Sequence, residues 1–245
     1  MSDNNPILRN VALSLLSSDA TTTADIKKIA SSITKLSPEA QESVLNFLIV
    51  NDAKATIPVV QKSLKKNKDS GAKIATYKTL SALSGGANTS FIIDEIANAN
   101  EEELKALKNL LLTAKATDVV DVINGSLAGA NENTQLALLD VLSKRSNANS
   151  ASQVFTLIEK GSPAVRAAAF KALPNVVNDG DFDQIIALLG IAAGSEILFT
   201  QQAATVALQN NPEKAAKVGR LASNISRSLA PSSARYFPIF AGEGS

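Results

Sequence analysis

Apolar residues recur along this chain in pairs at helical spacing, and the pairs themselves recur about every 31 residues. Each pair follows, by about eight and eleven residues, a residue that favours a helix N-cap. Residues three apart lie on one face of a helix, so each repeat predicts a helix with one buried face. The candidate caps are Asn5, Ser37, Ser70, Asn100, Asn131, Ser162 and Ser195. The apolar pairs are Leu13/Leu16, Leu45/Leu48, Tyr77/Leu80, Leu107/Leu110, Leu139/Leu142, Phe170/Leu173 and Ala203/Val206.

A second helical pattern follows the first in every repeat, after a short link. No stretch alternates strictly between apolar and polar residues, as a half-buried strand does. The chain therefore predicts an all-α protein of about fourteen or fifteen short helices in antiparallel pairs. Such a pair cannot bury both apolar faces alone, so neighbouring pairs are expected to stack. The second pattern comprises Ile26/Ile29/Ile33, Ile57/Val60/Leu64, Ile92/Ile96, Val120/Ile123/Leu127, Val154/Leu157/Ile158, Phe182/Ile185/Leu189 and Val218/Leu221/Ile225.

Several repeats carry further signals of a helix start. Proline follows the cap in Asn5-Pro6, Ser37-Pro38 and Ser162-Pro163, where its missing N–H costs nothing. Asn100 is followed by three glutamates, which suit the positive end of the helix dipole. The third of them, Glu103, is placed to close a capping box with Asn100.

Two stretches resemble a known family. Residues 162–173 read SPAVRAAAFKAL and precede GDFDQIIALL, which is similar to short bacterial HEAT repeats with their proline, valine-arginine, alanines and leucine. The unit SEILFTQQAATVAL at 195–208 is the next closest, and elsewhere only the period and the apolar spacing fit. The resemblance implies a right-handed α-solenoid of about seven HEAT-like helix pairs, with the second helix of each pair lining the concave face. It also implies protein-interaction work more often than catalysis.

The composition excludes several kinds of functional site. The chain has no histidine, cysteine or tryptophan, so zinc fingers, His-based triads, cysteine nucleophiles and redox dithiols are ruled out. Metal-dependent HEAT-like hydroxylases, which use His-Glu ligands, are ruled out with them. A formal net charge of +1 argues against HEAT-like DNA glycosylases, whose concave surface is strongly basic. We expect no metal and no cofactor.

The sequence carries no signal for a compartment. No apolar run approaches the roughly 18 residues that span a bilayer, so no membrane insertion is expected. Residues 1–10 do not form a signal peptide. Localisation therefore stays open between the cytoplasm and the mature part of an exported protein.

Basic side chains cluster in two stretches. Residues 54–78 hold seven lysines and one acid, and residues 80–103 hold five acids and no base. Residues 211–235 hold five bases and one acid. Each basic stretch predicts either a binding surface for an acidic partner or a solvated helix face. The candidate binding residues are Lys62, Lys65, Lys66, Lys73, Lys214, Lys217 and Arg220.

Two short motifs invite a chemical interpretation. Residues 178–183 alternate carboxylates as some calcium loops do, but Phe182 starts an apolar stripe at once and the distant glutamate is missing. We therefore interpret them as a turn between helices. Ser32/Lys35 and Ser63/Lys66 match the Ser-x-x-Lys pair of some acyl enzymes, without the partner motifs. Both lie at predicted helix ends, where lysine suits the negative end of the dipole.

We expect one domain over residues 1–245, cut from a longer protein, because the repeat that starts near residue 231 lacks its second helix. The favoured function is a non-catalytic scaffold that docks a partner protein or a neighbouring domain of its parent chain. One alternative is a nucleic-acid- or polyanion-binding module that uses the lysines of residues 54–78, although the neutral charge argues against nucleic acid. Another is an accessory domain of a larger bacterial extracytoplasmic enzyme. Exposed solenoid ends also allow an end-to-end homodimer.

Overall fold

The structure is a computed structural model that describes residues 22–85, 88–115, 118–145 and 151–209. The chain divides into two compact units between Val176 and Val177, and each is described by itself. All regular elements of the described residues are helical, which confirms the all-α prediction. The first unit contains α1 (Thr23–Ser31), α2 (Pro38–Val50), α3 (Ile57–Leu64), α4 (Ser70–Ser84), α5 (Thr89–Ile96), α6 (Glu101–Thr113), α7 (Val119–Leu127), α8 (Glu132–Leu142), α9 (Ala151–Lys160) and α10 (Pro163–Ala172). The second contains α11 (Phe182–Leu189) and α12 (Ser195–Leu208).

The helices of the first unit pack in two layers. Each odd-numbered helix packs against the even-numbered helix that follows it, from α1 on α2 to α9 on α10. The even-numbered helices also pack on one another in chain order from α2 to α10, and in the other layer α1 packs on α3 and α5 on α7. Neighbouring repeats therefore share their apolar faces, as the burial argument predicts.

Side-chain N-caps mark where the even-numbered helices of the first unit begin. Ser37, Asn100, Asn131 and Ser162 each accept a hydrogen bond from the backbone N–H three residues on, as predicted. Two other predicted caps, Ser70 and Ser195, were wrong by one residue, and Asn5 lies outside the described residues.

The two corrected caps have local physical causes. Asp69 caps α4 because its carboxylate accepts the N–H of Ala72 at 2.8 Å, and a negative charge is favourable at a helix N-terminus. Gly194 precedes α12 with a φ of 56°, a backbone conformation that glycine adopts without strain. In both places the residue before the predicted serine satisfies the geometry of the turn better than the serine does.

The predicted apolar pairs mark most of the core. Their fully buried members are Leu45, Leu48, Tyr77, Leu80, Leu107, Leu139, Leu142, Phe170, Leu173 and Ala203. The prediction was wrong for two members of the pairs, because Leu110 is only half-buried and Val206 is exposed. Leu111 and Ala207 are buried in their place. Each lies four residues after the first member of its pair, and a spacing of four shares a helix face as well as a spacing of three does. The pair Leu13/Leu16 and the pattern Val218/Leu221/Ile225 lie outside the described residues.

Hydrogen bonds between residues one repeat apart connect the even-numbered helices. The Arg145 guanidinium, just after α8, donates to the carbonyl oxygens of Leu111 at 2.6 Å and Ala114 at 2.8 Å, at the end of α6. Next along the layer, Asn175 donates to the Ser143 carbonyl at 2.8 Å. The period of about 31 residues thus appears in polar contacts as well as in apolar ones.

The second unit begins with the segment that alternates carboxylates. The Asp181 carboxylate accepts the backbone N–H of Asn178 at 2.8 Å, and the Asn178 side chain accepts the N–H of Gly180 at 2.8 Å. Phe182 and Ile185 of α11 are fully buried immediately afterwards. This reciprocal capping agrees with the interpretation of the segment as a turn between helices.

Candidate binding groove

A groove with a mostly apolar lining runs along the first unit between α1 and α3, with a volume of about 420 Å³. We call it the α1/α3 groove. The residues that line it are Ala30, Ser31 and Thr34 on one side and Pro58, Val59, Lys62, Ser63 and Lys66 on the other. Ala30 and Val59 also contact the core beneath. The floor of the groove is thus the outer edge of the core, and its volume lies in the range of ordinary binding pockets.

The sequence of α3 explains why lysines border the groove. Val60 and Leu64 are buried in the core on one face of the helix. Lys62 lies on a different face of the last turn, and Lys66 follows two residues after the helix ends. Both are exposed and line the groove. Their aliphatic stems can cover apolar surface while the ammonium groups stay in water.

The positive charge at the groove is not cancelled by any acid in the part of the chain that the structure describes. Among the described residues, no acidic side chain forms an ion pair with Lys62, Lys65 or Lys66. The nearest acid along the chain, Asp69, uses its carboxylate to cap α4. Lys65 is exposed beside the groove and does not line it. Three of the four predicted lysines of residues 54–78 therefore share one exposed region.

Lys73, the fourth of these lysines, lies elsewhere. Its ammonium group is 3.2 Å from the carboxylate of Glu103, a side chain that is only 3% exposed. Ser70 donates to the same carboxylate at 2.9 Å, and Asn100 donates to it at 3.1 Å. We call these four side chains the Glu103 cluster. The cluster connects α4 to α6. The Glu103 carboxylate accepts hydrogen bonds from side chains of the preceding repeat and of Asn100, so the capping box predicted at Asn100 is not formed.

The Glu103 cluster also contains a Ser-x-x-Lys pair, Ser70/Lys73, which the sequence interpretation missed. The Ser70 hydroxyl donates to a carboxylate, as an activated nucleophile does, but five cavities among the described residues have neither Ser70 nor Lys73 in their lining. The hydroxyls of the two predicted pairs donate to helix carbonyls, Ser63 to Val60 and Ser32 to Ile29, both at 2.7 Å. These geometries fit connections within and between helices.

A second groove, between α6 and α8, carries charges that neutralise one another. Asp140 accepts hydrogen bonds from Lys108 at 2.8 Å and from Lys144 at 3.0 Å. Partial burial of Asp140 raises its pKa, but the hydrogen bonds from the two lysines outweigh burial and hold the pKa below its usual value. This groove therefore offers less uncompensated charge to a ligand than the α1/α3 groove does.

The lowered pKa of Asp140 predicts a specific pH dependence of stability. A carboxyl group with a depressed pKa in the folded state stabilises it above the unfolded pKa, and that contribution disappears as the pH falls through the folded pKa. We expect Asp140→Asn to lower the free energy of unfolding by about 1 kcal/mol at pH 7. The difference from the unsubstituted chain should shrink below about pH 4. Urea denaturation at pH 7 and pH 3 measures it, and a difference that is equal at both values would contradict this assignment.

The remaining predicted site residues, Lys214, Lys217 and Arg220, lie outside the described residues, as does the incomplete repeat near residue 231. Within residues 22–85, 88–115, 118–145 and 151–209, no three acidic side chains come together as a metal site requires. In the same part of the chain, no helix combines the length and the apolar character needed to cross a membrane.

Comparison with known proteins adds no assignment. No family model, curated protein or solved structure matches the chain. The α1/α3 groove therefore has to be interpreted from its own geometry and charge.

Proposed function

We propose that this chain is a HEAT-like α-solenoid that acts as a non-catalytic protein-interaction module, with the α1/α3 groove as its docking surface. The observation that carries the proposal is an apolar groove next to lysines that no described acid neutralises. Exposed apolar surface with a charged rim is typical of a site that is covered when a partner binds. The partner is either a separate protein or a neighbouring domain of a longer chain.

The packing of the first unit supports the solenoid part of the proposal. Its contacts run from each repeat to the next, in the pattern that stacked helix pairs produce. In the predicted repeats α1 and α3 are the second helices of their pairs, and second helices line the concave face in the family that this sequence resembles. A groove between them therefore lies in the layer where such proteins bind their partners.

The polar contacts between repeats support a non-catalytic role. Ser70, Lys73 and Glu103 are the residue types that acyl-transfer sites use, but they are bonded to one another at a helix interface. The Arg145 guanidinium bonds the carbonyl groups at the end of α6 in the same manner. In each case the polar chemistry connects repeats, and the open groove is mostly apolar.

Filling the groove tests the proposed function. Ser31 is exposed at the rim, so Ser31→Trp should occupy the groove without altering charge or the buried core. A partner protein, identified by pull-down with the unsubstituted chain and then purified, should bind Ser31→Trp at least about tenfold more weakly. The matched control is Ser152→Trp, at an exposed serine of α9 that does not line the α1/α3 groove. Equal affinity of the partner for all three chains would contradict the proposal.

A further inference from the structure

We infer that the occupant of the α1/α3 groove is an acidic amphipathic helix of a partner protein, a conclusion that rests on the proposed function and names the partner's chemistry. Apolar side chains of that helix would fill the groove between Ser31 and Val59. Its carboxylates would meet the ammonium groups of Lys62 and Lys66. Three properties of the groove support this occupant: its lining, the placement of its lysines and the sign of its charge.

The lining calls for apolar side chains in the middle of the ligand. Ala30, Pro58 and Val59 are apolar. The Ser63 hydroxyl donates a hydrogen bond to the Val60 carbonyl oxygen, and the Ser31 hydroxyl donates one to the Lys28 carbonyl oxygen, both at 2.7 Å. A polar group placed against Ala30, Pro58 or Val59 would lose its water without gaining a partner, which costs free energy. An apolar side chain loses nothing there and removes apolar surface from water.

The two lysines of the groove call for a ligand with more than one carboxylate on the same face. Lys62 lies in the last turn of α3 and Lys66 lies two residues beyond the end of that helix, and both line the groove. Carboxylates four residues apart on a helix are neighbours on one face, with their Cβ atoms about 6 Å apart. An acidic helix in the groove therefore offers one carboxylate to each lysine, whereas a single anion would reach only one or would sit between them.

The charge around the groove calls for a net negative partner. Lys62 and Lys66 have Lys65 and Lys68 beside them, and no described acid forms an ion pair with any of these four. Like charges this close repel one another, so an acidic segment relieves repulsion as it binds. A basic segment would add to the repulsion and should be rejected.

A polyanion such as single-stranded nucleic acid fits these observations less well. Binding of bases depends on exposed aromatic side chains for stacking. The aromatic residue of this basic stretch, Tyr77, is 1% exposed, and its hydroxyl donates to Glu95 at 3.2 Å. Burial, together with the charges of Glu95 and Glu103, raises the pKa of Tyr77 far above its usual value. Tyr77 is therefore a core residue and offers no stacking surface.

The test uses synthetic peptides with the full chain. The probe is a fluorescent helical peptide of about 18 residues, with leucines on one face and glutamates four residues apart beside them. We expect it to bind in the micromolar range, and Lys62→Glu/Lys66→Glu should weaken binding at least about tenfold. The matched control Lys160→Glu/Lys171→Glu carries the same charge change at exposed lysines of α9 and α10, outside the basic stretch, and should alter binding less than about threefold. A peptide with lysine in place of glutamate should prefer the Lys62→Glu/Lys66→Glu chain.

Each other outcome overturns a defined part of the inference. If a glutamine version of the peptide binds as tightly as the glutamate version and Ser31→Trp blocks both, the groove binds helices but the charge inference is wrong. If the control pair of substitutions weakens binding as much as the groove pair, or an oligothymidylate of about 20 nucleotides displaces the peptide, the surface is a general polyanion site. If no peptide binds, or if Ser31→Trp blocks none that do, this inference falls, and the proposed function is decided separately by the effect of Ser31→Trp on the partner protein.

Discussion

Replacement of Gly161 by alanine should lower the free energy of unfolding by about 2 to 3 kcal/mol, although alanine is normally the better residue near a helix. A Cβ atom on Gly161 would lie 2.5 Å from the Leu157 carbonyl oxygen and 2.8 Å from a methyl carbon of Val165. Val165 is 1% exposed, so it cannot move into solvent. The close approach of α9 and α10 therefore depends on the missing side chain, and backbone atoms would have to shift to admit one.

Gly129 provides a matched control one repeat earlier. It occupies the link between α7 and α8, 32 residues before Gly161, and a Cβ atom there would meet nothing within 4 Å. Gly129→Ala should leave stability unchanged or raise it by up to about 1 kcal/mol, because alanine restricts the unfolded chain. Urea denaturation of both variants measures the contrast. Equal effects at the two glycines would show that the link between α9 and α10 is not packed as described.

The second large effect is expected in the Glu103 cluster. Lys73→Met would leave the nearly buried Glu103 carboxylate without its cation, with only the hydrogen bonds from Ser70 and Asn100. We expect a loss of about 2 to 3 kcal/mol, because removing one partner of a buried ion pair strands the other charge. Adding Glu103→Gln should recover part of that loss, because a buried neutral amide costs less free energy than a buried carboxylate that has lost its cation.

A double-mutant cycle in urea denaturation measures the coupling between Lys73 and Glu103, which should be at least about 1 kcal/mol. The control is the pair formed by Lys54 and Asp52, which are 2.9 Å apart but 65% and 68% exposed. Lys54→Met should cost less than about 0.5 kcal/mol, because water screens an exposed pair. Additive effects at Lys73 and Glu103 would mean that the cluster does not connect α4 to α6.

Much of the fold could be predicted because apolar residues recur along the chain with the helical period. Leu45, Leu48 and Phe170 follow from spacing alone, since a residue that repeats with the helix must face the core. Spacing does not decide whether the third or the fourth residue after the first apolar residue is buried. For this reason Leu110 and Val206 were predicted to be core residues, whereas Leu111 and Ala207 are the buried ones. The choice depends on which ridge the neighbouring helix contacts, a tertiary property.

The site could be predicted only in part, because charge pattern does not show which side chains are paired. Lys62 and Lys73 belong to the same run of lysines, but one lines a groove and the other binds Glu103 from the next repeat. Glu103 follows Asn100 at the spacing of a capping box, so the sequence predicted a capping role and not the ion pair with Lys73. A partner 30 residues away becomes visible only when the two helices are packed together. The groove itself has no sequence signal, since its floor is the outer edge of an ordinary core.

Hydrogen exchange of the full chain, with and without its bound partner, shows whether the α1/α3 groove is the docking surface. Binding there should slow the exchange of backbone amides in residues 27–35 and 57–66, with little change in α9 and α10. Protection confined to other helices, with residues 27–35 and 57–66 exchanging at the same rate in both samples, would show that the partner binds elsewhere.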